Sequence, residues 1–209
     1  MSAAFSWSSP PLRVVGLTVI PGGLDACVPF VRAEGLHLEL AGRDLQCPLE
    51  VAYPDPASLG VDRWVGAVAA RERYGTAVVV DCGTALTINL VTEDGVFHGG
   101  AIAPGPHTMV KALATHAPAL PHVDLQGDAT LPATDSESAV NAGVGVGFCG
   151  MVEALVDACL GAVPVTDAAL VLTGGGAPVY QRFGTRPHHF EPDLIHQGLR
   201  CLAARPSNS

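Results

Sequence analysis

Thr76-Ala77-Val78-Val79-Val80 is a run of small and β-branched residues that stops at Asp81, and Cys82-Gly83-Thr84-Ala85 follows. A short, continuous apolar run fits a strand buried on both faces, the central strand of an α/β sheet. A carboxylate at its exit puts hard oxygen donors on the rim of that sheet. The glycine lets main-chain amides come close to an anion, and the threonine adds a hydroxyl. This set suits phosphate and cation binding. It also suits an ordinary strand-to-strand turn in which Asp and Gly serve backbone conformation alone.

The residues after the turn build a recognisable order. Leu86 to Val91 and Val96 to Ile102, joined at Glu93-Asp94-Gly95, complete a three-strand meander. Pro104-Gly105-Pro106 opens a helix. A long helical stretch runs from Asp135 or Ser136, either a good N-cap, to about Leu160. Ala169 to Leu172 reads as a strand, Pro178 to Phe183 as a helix, His189 and Phe190 as a short strand, and Pro192 to Leu202 as a last helix. Upstream, a strand (Val14 to Val19), a turn at Pro21-Gly22-Gly23, a helix (Leu24 to Ala33) and a strand (His37 to Leu40) form a β-α-β unit. The loop Tyr53-Pro54-Asp55-Pro56 then leads to a helix from Val61 to about Arg73, and a domain boundary is expected near residue 60, dividing 1–60 from 61–209.

From Thr76 the order is β-β-β-α-β-α-β-α, that of the ribonuclease H-like half which actin-like kinases use twice. The fold class is therefore α/β, an actin-like duplicated fold. Residues 1–60 supply only the later β-α-β of a first half, so that half is expected to be incomplete: its opening meander, with a phosphate turn of its own, has no counterpart before residue 60.

Composition narrows the partners. Of 209 residues, 48% are hydrophobic and 15% charged, which fits a packed globular chain. A formal net charge of −9 argues against nucleic acid and anionic membrane surfaces, yet leaves room for a small anion at a strand-end turn or helix N-terminus. The six cysteines lack CxxC spacing and are expected as reduced thiols of a cytoplasmic chain. Met1 to Pro11 does not read as a signal peptide, and no run approaches the roughly 20 apolar residues of a membrane span. The eight histidines show no HExxH or other metal-ligand spacing. Neither G-x-x-x-x-G-K-[ST] nor G-x-S-x-G occurs.

Three further segments can carry chemistry. Gly99-Gly100-Ala101-Ile102-Ala103-Pro104-Gly105 ends the meander where its loop can join the Asp81 turn at one mouth. Gly60-Val61-Asp62-Arg63 opens a helix: Asp62 can accept a proton from a substrate hydroxyl, and Arg63 can pair with a substrate carboxylate. Asp62 can equally be a first-turn acid that favours the helix dipole. Thr173-Gly174-Gly175-Gly176 presents bare backbone suited to a flat adenine or ribose, or forms a plain strand-to-helix loop. Gly143, Gly145, Gly147 and Gly150 expose helix backbone for close packing, a helix contact or dimer face rather than a ligand site.

In this order, GVDRW at 60–64, DCGTALT at 81–87, GGAIAPG at 99–105, a hydroxyl at Ser136, Thr173-Gly174-Gly175 and the closing Pro192 to Leu199 resemble the type III pantothenate kinase family from about Val14 to Leu202. The resemblance implies ATP-dependent phosphorylation of pantothenate to 4'-phosphopantothenate, the first step of coenzyme A biosynthesis. It makes Asp62 the proton acceptor, with Tyr53, Gly60, Val61, Arg63 and Ser136 as pantothenate contacts. It assigns ATP to Gly83, Thr84, Gly174 and Gly175, and a potassium or ammonium ion to Asp81, with Mg²⁺ accompanying ATP. It also implies a cytoplasmic homodimer. The family opens with a DxGNT phosphate turn that is not found here, so the expectation is a start placed too late or a shortened relative. The alternative is a non-catalytic binding or regulatory protein of the same fold; an actin-like phosphatase would keep the Asp81 turn without needing the GVDR segment.

Overall fold

The computed structural model describes residues 13–20, 22–127 and 129–205. The reading of Met1 to Pro11 and the Pro21 position of the first turn lie outside them. The chain runs β1 (Val14–Gly16), a 3-10 turn (Asp25–Cys27), α1 (Val28–Ala33), β2 (Leu38–Leu40), β3 (Glu50–Val51), α2 (Val61–Tyr74), β4 (Ala77–Cys82), β5 (Ala85–Val91) and β6 (Val96–Pro104). It continues with α3 (Pro106–His116), α4 (Ser136–Gly161), β7 (Ala169–Thr173), α5 (Ala177–Phe183), β8 (His189–Phe190) and α6 (Leu194–Ala203).

β4 is the organising strand. It pairs antiparallel with β5 and parallel with β7, in a six-stranded sheet ordered β3-β6-β5-β4-β7-β8. The last five strands of that order are the ribonuclease H-like arrangement expected from the sequence. Val78, Val79 and Val80 are all buried, and complete burial of a valine contributes about 1.5–3 kcal/mol. Because side chains alternate along a strand, the sheet feeds two cores. Val78, Val80, Cys82, Leu86, Ile88 and Leu90 face α3, α4 and α5. Ala77, Val79, Val91, Phe97 and Val171 face α2 and α6.

Local chemistry moved several boundaries. β1 ends at Gly16 rather than Val19: the Thr18 hydroxyl bonds the Ile20 carbonyl at 2.7 Å and accepts from the Ile20 amide at 3.1 Å, which turns the backbone out of the ladder. The helix expected from Leu24 begins as a 3-10 turn and becomes α-helical at Val28, where Pro29 occupies the second helical position. β1 and β2 pair in parallel as the expected β-α-β unit. β3 was not foreseen. It is two residues long and pairs with β6, at Glu50 with Val96 and Val51 with Phe97, so the segment before residue 60 also extends the main sheet.

α4 is capped by Asp135, whose carboxylate accepts from the Ser138 amide at 2.9 Å and the Ser138 hydroxyl at 2.7 Å. At 26 residues it is, by length and composition, long and apolar enough to cross a membrane, which corrects the expectation that no stretch comes near that length. Its glycines and alanines make it apolar without bulk. Val140, Val144, Phe148, Val152 and Val156, four residues apart, pack into the core beneath the sheet. All six cysteines are free.

Glu191 ties the far end of the sheet together. Its main-chain amide donates to Leu172 O at 2.8 Å, and its carboxylate accepts from the Tyr74 hydroxyl, from Gln197 Nε2 at 2.9 Å and from Arg73 Nη1 at 2.9 Å. The Tyr74 ring stacks on His189 at 4.5 Å. The Tyr74 hydrogen bond, followed by that of Gln197, holds the Glu191 carboxyl below the usual glutamate range. A lowered folded value means that stability is present above the unfolded carboxylate range and is lost as pH falls through the folded value. Glu191→Gln is therefore expected to lower the denaturation midpoint at pH 7, with the gap to wild type closing on acidification below pH ~4; denaturant melts across that pH range check it.

Candidate functional site

Asp81 sits at the end of β4, directly across from Thr87 on β5 and Thr173 on β7. It lies two residues beyond Val79, so it stands on the α2 face of the sheet. Burial pushes its carboxyl above the ordinary aspartate range, and the nearby charge of Asp62 pushes it further. Asp62 belongs to the first turn of α2. The two carboxylates that the sequence singles out are thus near enough for the charge of Asp62 to act on Asp81.

The start of α2 is shaped around Asp62. The 3-10 turn Pro56–Ser58, capped by Asp55 through the Ala57 amide at 3.1 Å, brings the chain to Gly60. A Cβ at Gly60 would stand 2.8 Å from Asp62 Oδ1, so any side chain there would displace the carboxylate. Val61 packs against the cluster that contains Leu59, Trp64 and Val65. Arg63 turns toward the sheet: Nε donates to Asn89 Oδ1 at 2.6 Å, Nη1 donates to the Tyr53 hydroxyl at 3.0 Å, and the guanidinium lies 5.8 Å from the Phe97 ring centroid. β3 delivers Tyr53, with the Ala52 amide bonded to Phe97 O at 3.0 Å and the Tyr53 ring edge-on to Phe97 at 6.0 Å.

The turn after Asp81 is clamped from two sides. Thr84 O accepts from the Gly105 amide at 3.0 Å and from the Thr108 hydroxyl at 2.6 Å, and Cys82 O accepts from the Gly176 amide at 2.7 Å. Gly174 has φ +86°, and a Cβ there would lie 2.5 Å from Asp81 Oδ1 and 2.7 Å from the Cys82 carbonyl carbon. Only glycine fits beside the carboxylate in that left-handed conformation. The Gly83 amide donates to Ala85 O at 3.1 Å within the turn, so it is not free for an anion as the sequence suggested.

Gly83, Thr84 and Gly175 line a cavity of about 470 Å³ with Cys82, Gly176, His107, Thr108 and Lys111. That volume lies within the roughly 300–1,000 Å³ of small-molecule sites. His107 and Lys111 are four apart on α3 and share one helix face. Lys111 is the chain's single lysine. Ser136 stands elsewhere, in an apolar groove of about 800 Å³ between α3 and α4 on the opposite face of the sheet from α2. Thr108 borders both spaces. Asp81, Asp62, Arg63 and Tyr53 thus form one cluster and Gly83, Thr84 and Gly175 one cavity, while Ser136 joins neither.

Sequence reasoning missed Thr87, Asn89, His107 and Lys111. The signal for the first two was present: they are polar residues alternating with buried Leu86, Ile88 and Leu90, which marks a polar stripe on one strand face. For His107 and Lys111 the signal was their four-residue spacing on a helix that leaves the site.

The model of the type III pantothenate kinase family matches residues 6–158. A type III pantothenate kinase of Rubrobacter xylanophilus is 37% identical over 169 residues, 78% of this chain and 64% of that protein. One from Phenylobacterium zucineum is 31% identical over 208 residues, 92% of this chain and 80% of its own. Against the first relatives it matches, the chain spans 64% and 60% of their length. A Campylobacter jejuni structure described as a Baf family transcriptional activator shares the fold at TM-score 0.64, with 19% identity over 93% of this chain and 83% of that one. With its family model, its relatives and the ordered motifs around Asp62 and Asp81 in agreement, this chain belongs to the type III pantothenate kinase family.

Proposed function

We propose that the chain phosphorylates pantothenate at its primary hydroxyl, using ATP, to give 4'-phosphopantothenate, the entry to coenzyme A biosynthesis. The observation that carries this reading is the cluster at the start of α2. It sets a proton acceptor, Asp62, beside a guanidinium, Arg63, whose Nη2 is buried and has no hydrogen-bond partner. Pantothenate carries a carboxylate at one end and a primary hydroxyl at the other, and the cluster offers a complement to each.

In this reading Arg63 and Tyr53 hold the substrate carboxylate, and Asp62 takes the proton as the hydroxyl oxygen attacks the γ-phosphorus. A new O–P bond forms, the bond from that phosphorus to the β,γ-bridging oxygen breaks, and ADP leaves. Thr84 and Gly175 border the nucleotide, together with Gly83 and Gly174, and His107 and Lys111 supply positive charge on the α3 wall of the cavity. Positioning and charge stabilisation dominate such transfers.

The family implies Mg²⁺ with ATP and a monovalent cation, and the residues fit them: Asp81 faces Asp62, and a cation would relieve that like-charge opposition. No group of three or more His, Cys, Asp and Glu side chains gathers among the described residues. The remaining ligands would then be phosphate oxygens, main-chain carbonyls and water, as is usual for Mg²⁺ at nucleotide sites. When bound, the cations neutralise charge on the transferring phosphate, and Asp81 is the residue that would hold the potassium or ammonium ion.

A cytoplasmic homodimer belongs to the same proposal. Ala139, Gly143, Gly147, Gly150 and Ala154 make an exposed stripe of small residues along α4, a face on which a second copy can pack closely. Residues 1–60 would form the remnant of the first half and 61–209 the second, with β3 bridging them.

Two variants test the reading. Asp62→Asn is expected to lower kcat/KM by roughly 10²–10⁴-fold while pantothenate binding by calorimetry persists; turnover that ignores this change would remove Asp62 as proton acceptor. Lys111→Ala is expected to raise the KM for ATP by roughly threefold to tenfold and to leave that for pantothenate alone. A coupled ADP assay, run with and without potassium, measures both.

A further inference from the structure

Asn89 is 1% exposed, in the middle of β5, and lies beneath Arg63. An arginine can only donate, so the Asn89 amide must turn its oxygen to Arg63 Nε, at 2.6 Å, and its nitrogen the other way. That nitrogen donates to Thr87 Oγ1 at 3.1 Å. Thr87 is the residue opposite Asp81 in the β4–β5 ladder. Oriented hydrogen bonds therefore run across the sheet face from Thr87, Asp81's register partner, through Asn89 to Arg63 and Tyr53.

Both partners of Arg63 are neutral. Among the described residues no carboxylate comes within 4.0 Å of its guanidinium, a condition it shares with Arg32, Arg182 and Arg200, whereas Arg13, Arg43, Arg71, Arg73, Arg186 and Arg205 each have one. A charge held by neutral acceptors is fixed in direction but not cancelled, and its remaining Nη2 is buried and unpartnered. A carboxylate at position 89 would hold Arg63 in much the same place and consume its charge.

We infer that Asn89 is a positioning residue: it aims Arg63 at the substrate-binding space without neutralising it, and so sets the site's preference for an anionic substrate over a neutral one. This rests on the pantothenate kinase reading and adds to it a residue that touches neither substrate nor nucleotide.

The test compares pantothenate with its primary amide, in which the carboxylate is replaced by a neutral group, as substrates for wild type, Asn89→Asp and Asn89→Leu. Asn89→Asp keeps the acceptor and adds a charge. It is expected to raise the KM for pantothenate roughly tenfold with a smaller fall in kcat, and to shrink the preference for the acid over the amide by a similar factor. Asn89→Leu keeps the branched outline of the side chain and removes both hydrogen bonds. In ¹⁵N-resolved spectra it is expected to abolish the slowly exchanging Arg63 Nε–H signal that wild type and Asn89→Asp retain, with a cooperative thermal melt showing that the variant is folded. An unchanged acid-to-amide preference in Asn89→Asp, or an unchanged Nε–H signal in Asn89→Leu, overturns the inference. If the wild-type chain neither binds nor phosphorylates pantothenate, the kinase reading fails instead. Asn89 is then judged on the Nε–H signal alone, where its loss in Asn89→Leu upholds the positioning role and its persistence ends it.

Discussion

The site depends on where β4 stops being apolar. Four buried residues, Ala77 to Val80, lock the strand between β5 and β7, and the next side chain on the α2 face is a carboxylate. A charge at that depth is unfavourable unless its surroundings are built for it. The neighbours crowd the carboxylate without neutralising it: Thr87 and Thr173 stand opposite in the two ladders, the loop after β7 comes close enough that only a glycine fits at 174, and burial holds the carboxyl above the ordinary aspartate range. The α2 start and the β6–α3 corner are placed by the same strand, one over each face of the sheet.

Much of this was legible in the sequence because it is written in local patterns. The Thr76 to Val80 run, the Glu93-Asp94-Gly95 turn, the proline before α3 and the Asp135 cap each act within a few residues, and each element formed where its signal lies. The motif order carried the family. What was not legible came from contacts distant in sequence. β3 is too short to leave a pattern and exists only because β6 offers it an edge, yet it is what sets Tyr53 beside Phe97 and within reach of Arg63. Asn89 looked like one polar residue in an apolar strand, and its meaning depends on an arginine 26 positions earlier. Ser136, assigned to the substrate by resemblance, lies over the other face of the sheet, a distance that no spacing rule within one chain could reveal.

The short reach of a turn and the long reach of a tertiary contact also divide the chemistry. The Asp81 side of the site is made largely of backbone: the Asp81–Ala85 turn, the Gly174–Gly176 loop and the corner at Gly105, fastened by main-chain hydrogen bonds. Backbone recognises phosphate and flat rings with little demand on side-chain identity, and so it reads well as a motif. The Arg63 side is made of side chains from β3, α2 and β5 that meet only in the folded sheet.

Electrostatics join the two sides. Asp62 and Asp81 oppose each other with like charge, and Arg63, one residue from Asp62, is held by neutral partners instead of a carboxylate. An ion pair between Arg63 and either aspartate would have quieted the local field and stabilised the empty fold. The chain instead keeps the positive charge turned toward Tyr53 and Asn89 and leaves the negative pair facing each other. Such an arrangement is less stable alone than with a carboxylate against Arg63 and a cation beside the aspartates, so bound groups of those two kinds would add stability by linkage.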